Sequence, residues 1–131
     1  RCAVPLMKKS GGGHILNITS ESVRNPYPFL TGYAATKAAL EHFSQGIRQE
    51  LRPDLIKVSC MRLGVMNIVE EGDGFAVDPE LGPKLIERMA GPMAFAGTTR
   101  MEVDTVATTA LNILTLPDDT VFDFVELRPT L

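Results

Sequence analysis

Apolar and polar residues follow one another in blocks of helical and strand length at the start of the chain. The amphipathic block "AVPLMKKS" stops at three consecutive glycines, which is typical of the last turns of a helix. The apolar run "HILNIT" that follows has the length of a strand and leads into the polar stretch "SESVRNPYP". These blocks predict a helix, a strand and then a loop.

A long helical pattern comes next. From Thr31, a predicted N-cap, the segment "GYAATKAALEHFSQGIRQELR" is rich in helix-forming residues and continues to Pro53. Helical spacing of its apolar residues predicts one long, well-packed helix. Its predicted core stripe is Ala35, Ala38, Ala39, Phe43, Ile47 and Leu51.

The second half of the chain repeats the alternation. "IKVSCMRL" predicts a strand that ends at Gly64, and "TVFDFVEL" predicts a closing strand. Between them, residues 65–99 are irregular around the helical stretch "PELGPKLIERMA", and "MEVDTVATTALNILTLP" predicts a further helix. The order of elements predicts an α/β domain with a mainly parallel sheet covered by helices. The last helix has a predicted core stripe of Val103, Val106, Ala110, Ile113 and Leu114.

Composition narrows the class of protein. The 131 residues are 44% hydrophobic and 22% charged, which fits one globular domain. A net charge of -3 without a basic stripe argues against a nucleic-acid partner, and no apolar run approaches the roughly 20 residues of a membrane span. Cys2 and Cys60 match neither a metal spacing nor a disulfide framework, so we expect a cytoplasmic protein. The chain opens without methionine in helix-like sequence, which favours a fragment.

Three side chains are candidates for acid/base chemistry. Ligands of alternating α/β domains bind beyond the carboxyl ends of the strands. Ser20 lies just past the first predicted strand, Tyr33 opens the long helix, and Lys37 follows Tyr33 by one helical turn. A free tyrosine keeps its proton until about pH 10, so a neighbouring ammonium group would help it to ionise. None of the three accepts a hydride, and redox chemistry would require a cofactor.

Other polar residues have a simpler interpretation. A Tyr-x-x-x-Lys sequence occurs by chance in about one chain in five of this length, so its surroundings decide its meaning. His14 is either a proton relay or, as we favour, an ordinary residue at the start of a strand. His42 has no second ligand at metal spacing, so no metal site is predicted. We interpret the pairs Glu70-Glu71 and Asp118-Asp119 as solvated loop residues. Tyr27 is assigned to the loop as a packing or pocket-wall residue.

The surroundings of Tyr33 resemble a known family. "GHILNITS", "YAATKAALEHFSQGIRQEL" and "IKVSCMRLG" are similar to the short-chain dehydrogenase/reductase family, in which the catalytic serine precedes the tyrosine by thirteen residues, as Ser20 precedes Tyr33. The resemblance implies a Rossmann-like doubly wound parallel sheet. Residues 1–131 would be its C-terminal portion, with three strands and about four helices, and the N-terminal dinucleotide-binding half would be absent.

The resemblance also implies a function. The full protein would be an oxidoreductase that transfers hydride between NAD or NADP and a small-molecule secondary alcohol or ketone, and "VELRPT" is similar to NADP-using members. Tyr33 would be the general acid/base, Lys37 would bind the cofactor ribose and help Tyr33 to ionise, and Ser20 would orient the substrate oxygen. Gly64 and the backbone of Met66 would line the nicotinamide.

Departures from the family pattern accompany these assignments. Leu63 replaces a proline before Gly64, Ile68 stands where a threonine often binds the cofactor, and Asn67 is a possible substitute. The segment from Met89 to Met101 corresponds to the substrate lid or is core packing. The Gly-rich phosphate turn of the family has no counterpart here, because "SGGGH" precedes a strand where a helix is needed. We therefore expect this chain to be inactive alone.

Alternatives and assembly remain open at this stage. The long helix resembles the dimerisation helix of the family, so a homodimer or homotetramer is expected, although Phe43 and Ile47 could equally face the sheet. A non-catalytic dinucleotide-binding or interaction protein of the same fold is the alternative function. A nucleotide-sugar epimerase shares the tyrosine and lysine, but the C-terminal segment leaves no room for its sugar domain.

Overall fold

Helices and strands alternate along the chain. The computed structural model describes residues 2–67, 80, 83–84, 87–88 and 99–130. Residues 83–84 and 87–88 are helical and fall in the predicted stretch "PELGPKLIERMA". The main elements are α1 (Ala3–Lys9), β1 (Gly13–Ser20), α2 (Thr31–Leu51), β2 (Ile56–Leu63), β3 (Met66–Asn67), β4 (Met101–Glu102), α3 (Val103–Leu114) and β5 (Phe124–Leu127), with 3-10 helices at Glu21–Val23 and Arg52–Asp54.

A parallel sheet organises these elements. Its three strands lie in the order β1-β2-β5, and β1 is an edge strand within the described part of the chain. β1 pairs with β2 over its whole length, from Gly13 opposite Ile56 to Ser20 opposite Leu63. β5 pairs with the second half of β2, while β3 and β4 form a separate two-stranded parallel pair. The predicted parallel sheet is confirmed, but the closing strand begins at Phe124 rather than Thr120.

The turns that precede β1 and β2 touch each other. After α1 the chain reverses at Gly11 and Gly12, whose φ values are 83° and 141°. Leu55, with φ 56°, ends the turn before β2, and its carbonyl accepts a hydrogen bond from the Gly13 N–H at 3.3 Å. A Cβ added to Gly12 would lie 2.7 Å from the same carbonyl oxygen. Glycine is therefore required at position 12 by conformation and by space.

α2 lies on one face of the sheet and presents polar side chains to it. Its N-cap is Leu30, one residue before the predicted Thr31, and no side chain caps it. Its two buried residues are Ala34 and Ser44, and Phe43 is 58% exposed. Most of the predicted core stripe was therefore wrong, because the side of α2 that meets the sheet bonds to polar strand residues. The exposed members of that stripe are Ala35, Ala38, Ala39 and Phe43, while Ile47 and Leu51 are half-buried.

α3 covers the other face, which has an apolar centre. Its buried residues are Val106 and Ile113, whereas Val103 and Leu114 are 49% and 42% exposed, so the predicted stripe was correct only at its centre. The side chains of Val106, Ala110 and Ile113 pack against alternate residues of the strands. The buried cluster is Met61, Leu63, Met101, Val106 and Ile113, with Leu16, Met66, Ala110, Val125 and Leu127 around it.

Helices on both faces of a parallel sheet make the chain a Rossmann-like α/β unit, as predicted. Successive side chains of a strand point to opposite faces, so β2 sends Met61 and Leu63 towards α3 and Arg62 towards α2. Among the described residues, no helix is both long and apolar enough to cross a bilayer.

Candidate active site

Ser20 lies at the carboxyl end of β1. It is the last residue of the strand rather than the first residue after it, and it caps the 3-10 helix Glu21–Val23. Its Oγ accepts a hydrogen bond from the Ser22 N–H at 3.2 Å. That bond leaves the hydroxyl hydrogen free to donate elsewhere, because the oxygen acts here as an acceptor. Ser20 is half-buried at the edge where a substrate of a parallel sheet would arrive.

Tyr33 and Lys37 lie in the first turns of α2 and share one side of the helix. The Lys37 Nζ lies 5.6 Å from the centre of the Tyr33 ring, and the Tyr33 side chain is 43% exposed. The same Nζ donates a hydrogen bond to the Ile18 carbonyl of β1 at 3.1 Å. Lys37 therefore joins the helix that carries Tyr33 to the strand that carries Ser20. The structure brings the three predicted residues to one end of the sheet.

Tyr27 has a different environment. Its hydroxyl donates a hydrogen bond to Glu21 Oε1 at 3.0 Å. Burial, followed by the hydrogen bond and the negative charge of Glu21, raises the pKa of Tyr27 to about 12. Tyr27 therefore holds its proton at neutral pH, which makes it a poor general acid or base. Its half-buried ring packs the loop between β1 and α2.

A cluster of charged and polar side chains beneath α2 was missed by the sequence analysis. Arg62 forms a two-pronged ion pair with Glu41, with Nη2–Oε2 at 2.6 Å and Nε–Oε1 at 2.9 Å. Thr19 donates to Glu41 Oε1 at 2.9 Å, and Arg62 Nη1 lies 3.3 Å from Glu126 Oε2. The side chains of Glu41 and Arg62 are only 12% and 14% exposed. A signal was present, since Arg62 is a charged residue near the carboxyl end of a mostly apolar strand.

Glu41 and Arg62 both remain charged in the folded chain. Burial raises the pKa of Glu41, but hydrogen bonds from Arg62 and Thr19 and the charge of Arg62 outweigh it and leave that pKa below its usual value. The hydrogen bond to Glu41 is the main cause that raises the pKa of Arg62. Glu41 is therefore a carboxylate and Arg62 a cation throughout the physiological range.

The turn after β2 is tightly packed. The Gly64 N–H donates to the Leu127 carbonyl at 2.9 Å, and a Cβ on Gly64 would lie 3.1 Å from Pro129 Cδ and 3.2 Å from Glu21 Oε2. Leu63, in the family's proline position, belongs to the apolar core and is the strand partner of Ser20. Met66 pairs with Met101 between β3 and β4.

The structure describes some of the other residues that were assigned to this turn and to the predicted lid. Asn67 donates to Glu102 at 2.7 Å, so its amide is already engaged. Met101, at the end of the predicted lid, is buried in the core. Ile68, Glu70-Glu71 and the remainder of the lid lie outside the described residues.

Polar residues at the amino ends of the strands line a separate groove of about 1340 Å³. His14 Nε2 lies 2.7 Å from the Ser59 hydroxyl, and burial together with the charge of Lys57 lowers the pKa of His14. Lys57 binds carbonyls of the loop after α3 and lies 4.0 Å from the exposed Asp118. We place the candidate site at Ser20 instead, because ligands of parallel α/β sheets bind at the carboxyl ends of the strands.

Comparison with known proteins identifies the family. The family model for short chain dehydrogenases matches residues 1–71, which is more than half of the 131-residue chain. The chain belongs to the short-chain dehydrogenase family. Among curated relatives, dehydrogenase/reductase SDR family member 4 of Sus scrofa is 35% identical over 66 residues, which is 50% of this chain and 24% of that protein.

Solved structures of dehydrogenases share the fold. Serine dehydrogenase from Escherichia coli superposes with a TM-score of 0.69 at 22% identity, over 97% of this chain and 44% of that one. The closed form of serine dehydrogenase complexed with NADP+ gives a TM-score of 0.72 at 24% identity, over 97% of this chain and 48% of that one. The chain therefore spans less than half the length of each of these proteins.

Proposed function

We propose that the protein to which this chain belongs is an NAD(P)-dependent oxidoreductase that acts on a secondary alcohol or a ketone. The observation that carries the proposal is the double contact of Lys37, which lies against the Tyr33 ring and also bonds to the strand that ends at Ser20. These contacts hold Tyr33 and Lys37 at the end of the parallel sheet where Ser20 lies. Family membership supports the same activity.

Each of the three residues has a role that follows from its contacts. Tyr33 is the general acid/base, because its side chain is exposed to an arriving substrate at the carboxyl end of the strands and lies beside Lys37. Ser20 orients the substrate oxygen with the hydroxyl hydrogen that its cap bond leaves free. Lys37 holds its position through the Ile18 carbonyl.

The residues present are compatible with a nicotinamide cofactor. An ammonium has three donors, and the Ile18 carbonyl takes one, so Lys37 retains donors for ribose hydroxyls. When bound, the nicotinamide supplies or accepts the hydride that side chains cannot carry. We assign Tyr33, Lys37, Gly64 and the Met66 backbone to the cofactor side. NADP is favoured over NAD because of the "VELRPT" ending and the NADP+ complex of a structural relative.

We also propose that residues 1–131 are the C-terminal part of one dehydrogenase domain, and that the chain is inactive alone. The limited share of each relative that it covers supports this proposal. The edge position of β1 leaves a side on which a further strand can pair. The exposed apolar side of α2, which includes Phe43, supports a homodimer or homotetramer. Cytoplasmic residence agrees with the free thiols of Cys2 and Cys60.

The test is to replace each tyrosine in the full-length protein and follow NAD(P)H absorbance with a panel of alcohols and ketones. Tyr33→Phe removes the acid/base group, so we expect kcat to fall about 100- to 10,000-fold. Tyr27→Phe is the matched control and should retain most of the rate. If Tyr33→Phe keeps full activity, the assignment of Tyr33 fails. A parent that binds NADPH but turns over no substrate would favour the non-catalytic alternative.

A further inference from the structure

The Glu41–Arg62 pair lies one residue row away from the candidate site. Thr19 and Arg62 are partners in the pairing of β1 with β2, and Arg62 and Glu126 are partners in the pairing of β2 with β5. These three side chains form a polar row across the sheet, with Glu41 of α2 above it. The next row contains Ser20, opposite Leu63.

Glu41 is on the same side of α2 as the residues that anchor the helix. Lys37 precedes it by one turn and bonds to Ile18, while Ser44 follows and accepts a hydrogen bond from Asn17 at 2.8 Å. Hydrogen bonds and two-pronged ion pairs are directional, whereas apolar contact is not. The rotation of α2 about its axis is therefore set by these polar contacts, and the pair of Glu41 with Arg62 is the most buried ion pair among the described residues.

We propose that Glu41 and Arg62 are positioning residues that fix α2 on the sheet and so align Tyr33 and Lys37 with Ser20. The proposal rests on the proposed function for its kinetic consequence but not for its structural one. Glu41 touches no reacting atom, and its effect passes through Thr19 on the strand side and through Lys37 on the helix side. A small rotation of α2 would move the Tyr33 hydroxyl away from the substrate oxygen that Ser20 holds.

Two variants separate positioning from stability in the full-length protein. Glu41→Leu/Arg62→Met replaces the pair with apolar side chains, which fill the same space but form no directional contacts. We expect a stability close to that of the wild type and a kcat about tenfold lower. Glu41→Gln keeps an acceptor for Thr19 and for one prong of Arg62. It should be less stable than the wild type yet keep kcat within about threefold. A purely structural role predicts the opposite, with activity following stability.

A control at the other end of α2 matches the chemistry of the pair. Arg48 bonds to the Val58 carbonyl at 2.8 Å and to Asp123, but it lies about 16 Å along the helix from Lys37. Arg48→Met should therefore lower stability without a comparable loss of kcat. If Arg48→Met slows turnover as much as the double variant does, the proposal is overturned.

Hydrogen exchange supplies a readout that does not depend on activity. In the double variant, amides of residues 34–38 should exchange roughly tenfold faster than in the wild type, while those of residues 45–50 change less. Wild-type exchange and wild-type kcat in the double variant would refute positioning. If the wild-type protein shows no NAD(P)H-linked turnover, the proposed function fails, and the exchange comparison alone then decides whether the pair positions α2.

Discussion

The two faces of the β1-β2-β5 sheet are built from different chemistry. The face beneath α3 is apolar, with Met61 fully buried at the centre of its cluster. The face beneath α2 combines the buried apolar side chains of Ile56, Val58 and Cys60 with hydrogen bonds and ion pairs, and Glu41 with Arg62 is the most buried of these ion pairs. Both faces hold a helix against the same three strands. Apolar packing supplies non-directional attraction on both faces, and the polar contacts of the α2 face add a defined orientation for the helix that bears Tyr33.

This difference predicts different responses to mutation. Apolar packing loses free energy in proportion to the volume removed, so single truncations on the α3 face should be additive when they are well separated. On the α2 face, the loss depends on which partner is left behind, because a buried charge without its counterion is costly. The variants below are studied in the full-length protein by chemical denaturation.

The largest effect is expected from truncation on the apolar face. Met61 has no exposed surface, and Met61→Ala leaves a cavity between the sheet and α3, so the free energy of unfolding should fall by about 4 kcal/mol. Leu111→Ala is the control on the outer side of α3, where the side chain is 59% exposed, and its effect should stay below about 1 kcal/mol. Equal losses from the two variants would contradict the assignment of the core to this face.

Removal of one partner of the ion pair should come next. Arg62→Met leaves the Glu41 carboxylate buried without its cation, and we expect a loss of about 3 kcal/mol. Arg24 is the matched control, because it contacts the same cluster through Glu126 at 3.6 Å but is 57% exposed. Arg24→Met should cost less than about 1 kcal/mol. A loss for Arg62→Met as small as that for Arg24→Met would show that the polar face is effectively solvated.

Removal of both partners should recover most of that loss. In Glu41→Leu/Arg62→Met no charge of the pair remains buried, so its free energy of unfolding should lie within about 1 kcal/mol of the wild type. The two single variants and the double variant form a thermodynamic cycle that measures the coupling directly. Additive losses in this cycle would mean that Glu41 and Arg62 do not stabilise each other.

The smallest effect is a pH dependence at the amino ends of the strands. The pKa of His14 is lowered in the folded chain from 6.5 by burial and by Lys57, so the unfolded chain takes up the proton first as the pH falls. Stability present above about pH 6.5 should therefore decline towards pH 5. His14→Gln should reduce this slope while stability at pH 8 changes less. An unchanged slope would assign the decline to other groups.

Sequence patterns located the long elements but not the short strands β3 and β4, the start of β5 or the orientation of α2. The strand "IKVSCMRL" and the helix from Thr31 to Leu51 were predicted nearly to the residue, because composition and bounding glycine or proline are local signals. The side of α2 that faces the sheet was not predicted correctly. Alanine and Phe43 are more hydrophobic than Glu41 and Ser44, so a hydrophobic pattern places them in the core. Their partners, Arg62 and Asn17, lie on strands distant in sequence, and one sequence does not show which residues meet.

In the candidate site too, the residues could be predicted from the sequence, but their contacts could not. The spacing of Ser20, Tyr33 and Lys37 was visible in the sequence, and the structure places them at one end of the sheet. The hydrogen bond of Tyr27 to Glu21, which distinguishes the two tyrosines, depends on how the loop folds back. The contact of Lys37 with the Ile18 carbonyl likewise required the relative placement of helix and strand.

The contact between Gly12 and Leu55 has a consequence for strand registration. It lies immediately before the first paired residues, Gly13 and Ile56, and the close approach to the Leu55 carbonyl leaves no room for a side chain at position 12. The same contact includes the hydrogen bond from the Gly13 N–H to the Leu55 carbonyl, which begins the pairing of β1 with β2 in this register. A slip of one residue along β2 would turn the side chains of β1 to the opposite faces of the sheet. Thr19 would then enter the apolar cluster beneath α3, and Leu16 would lie beside the charged side chains of Glu41 and Arg62. The register that separates the two faces is thus already present at a turn that belongs to neither.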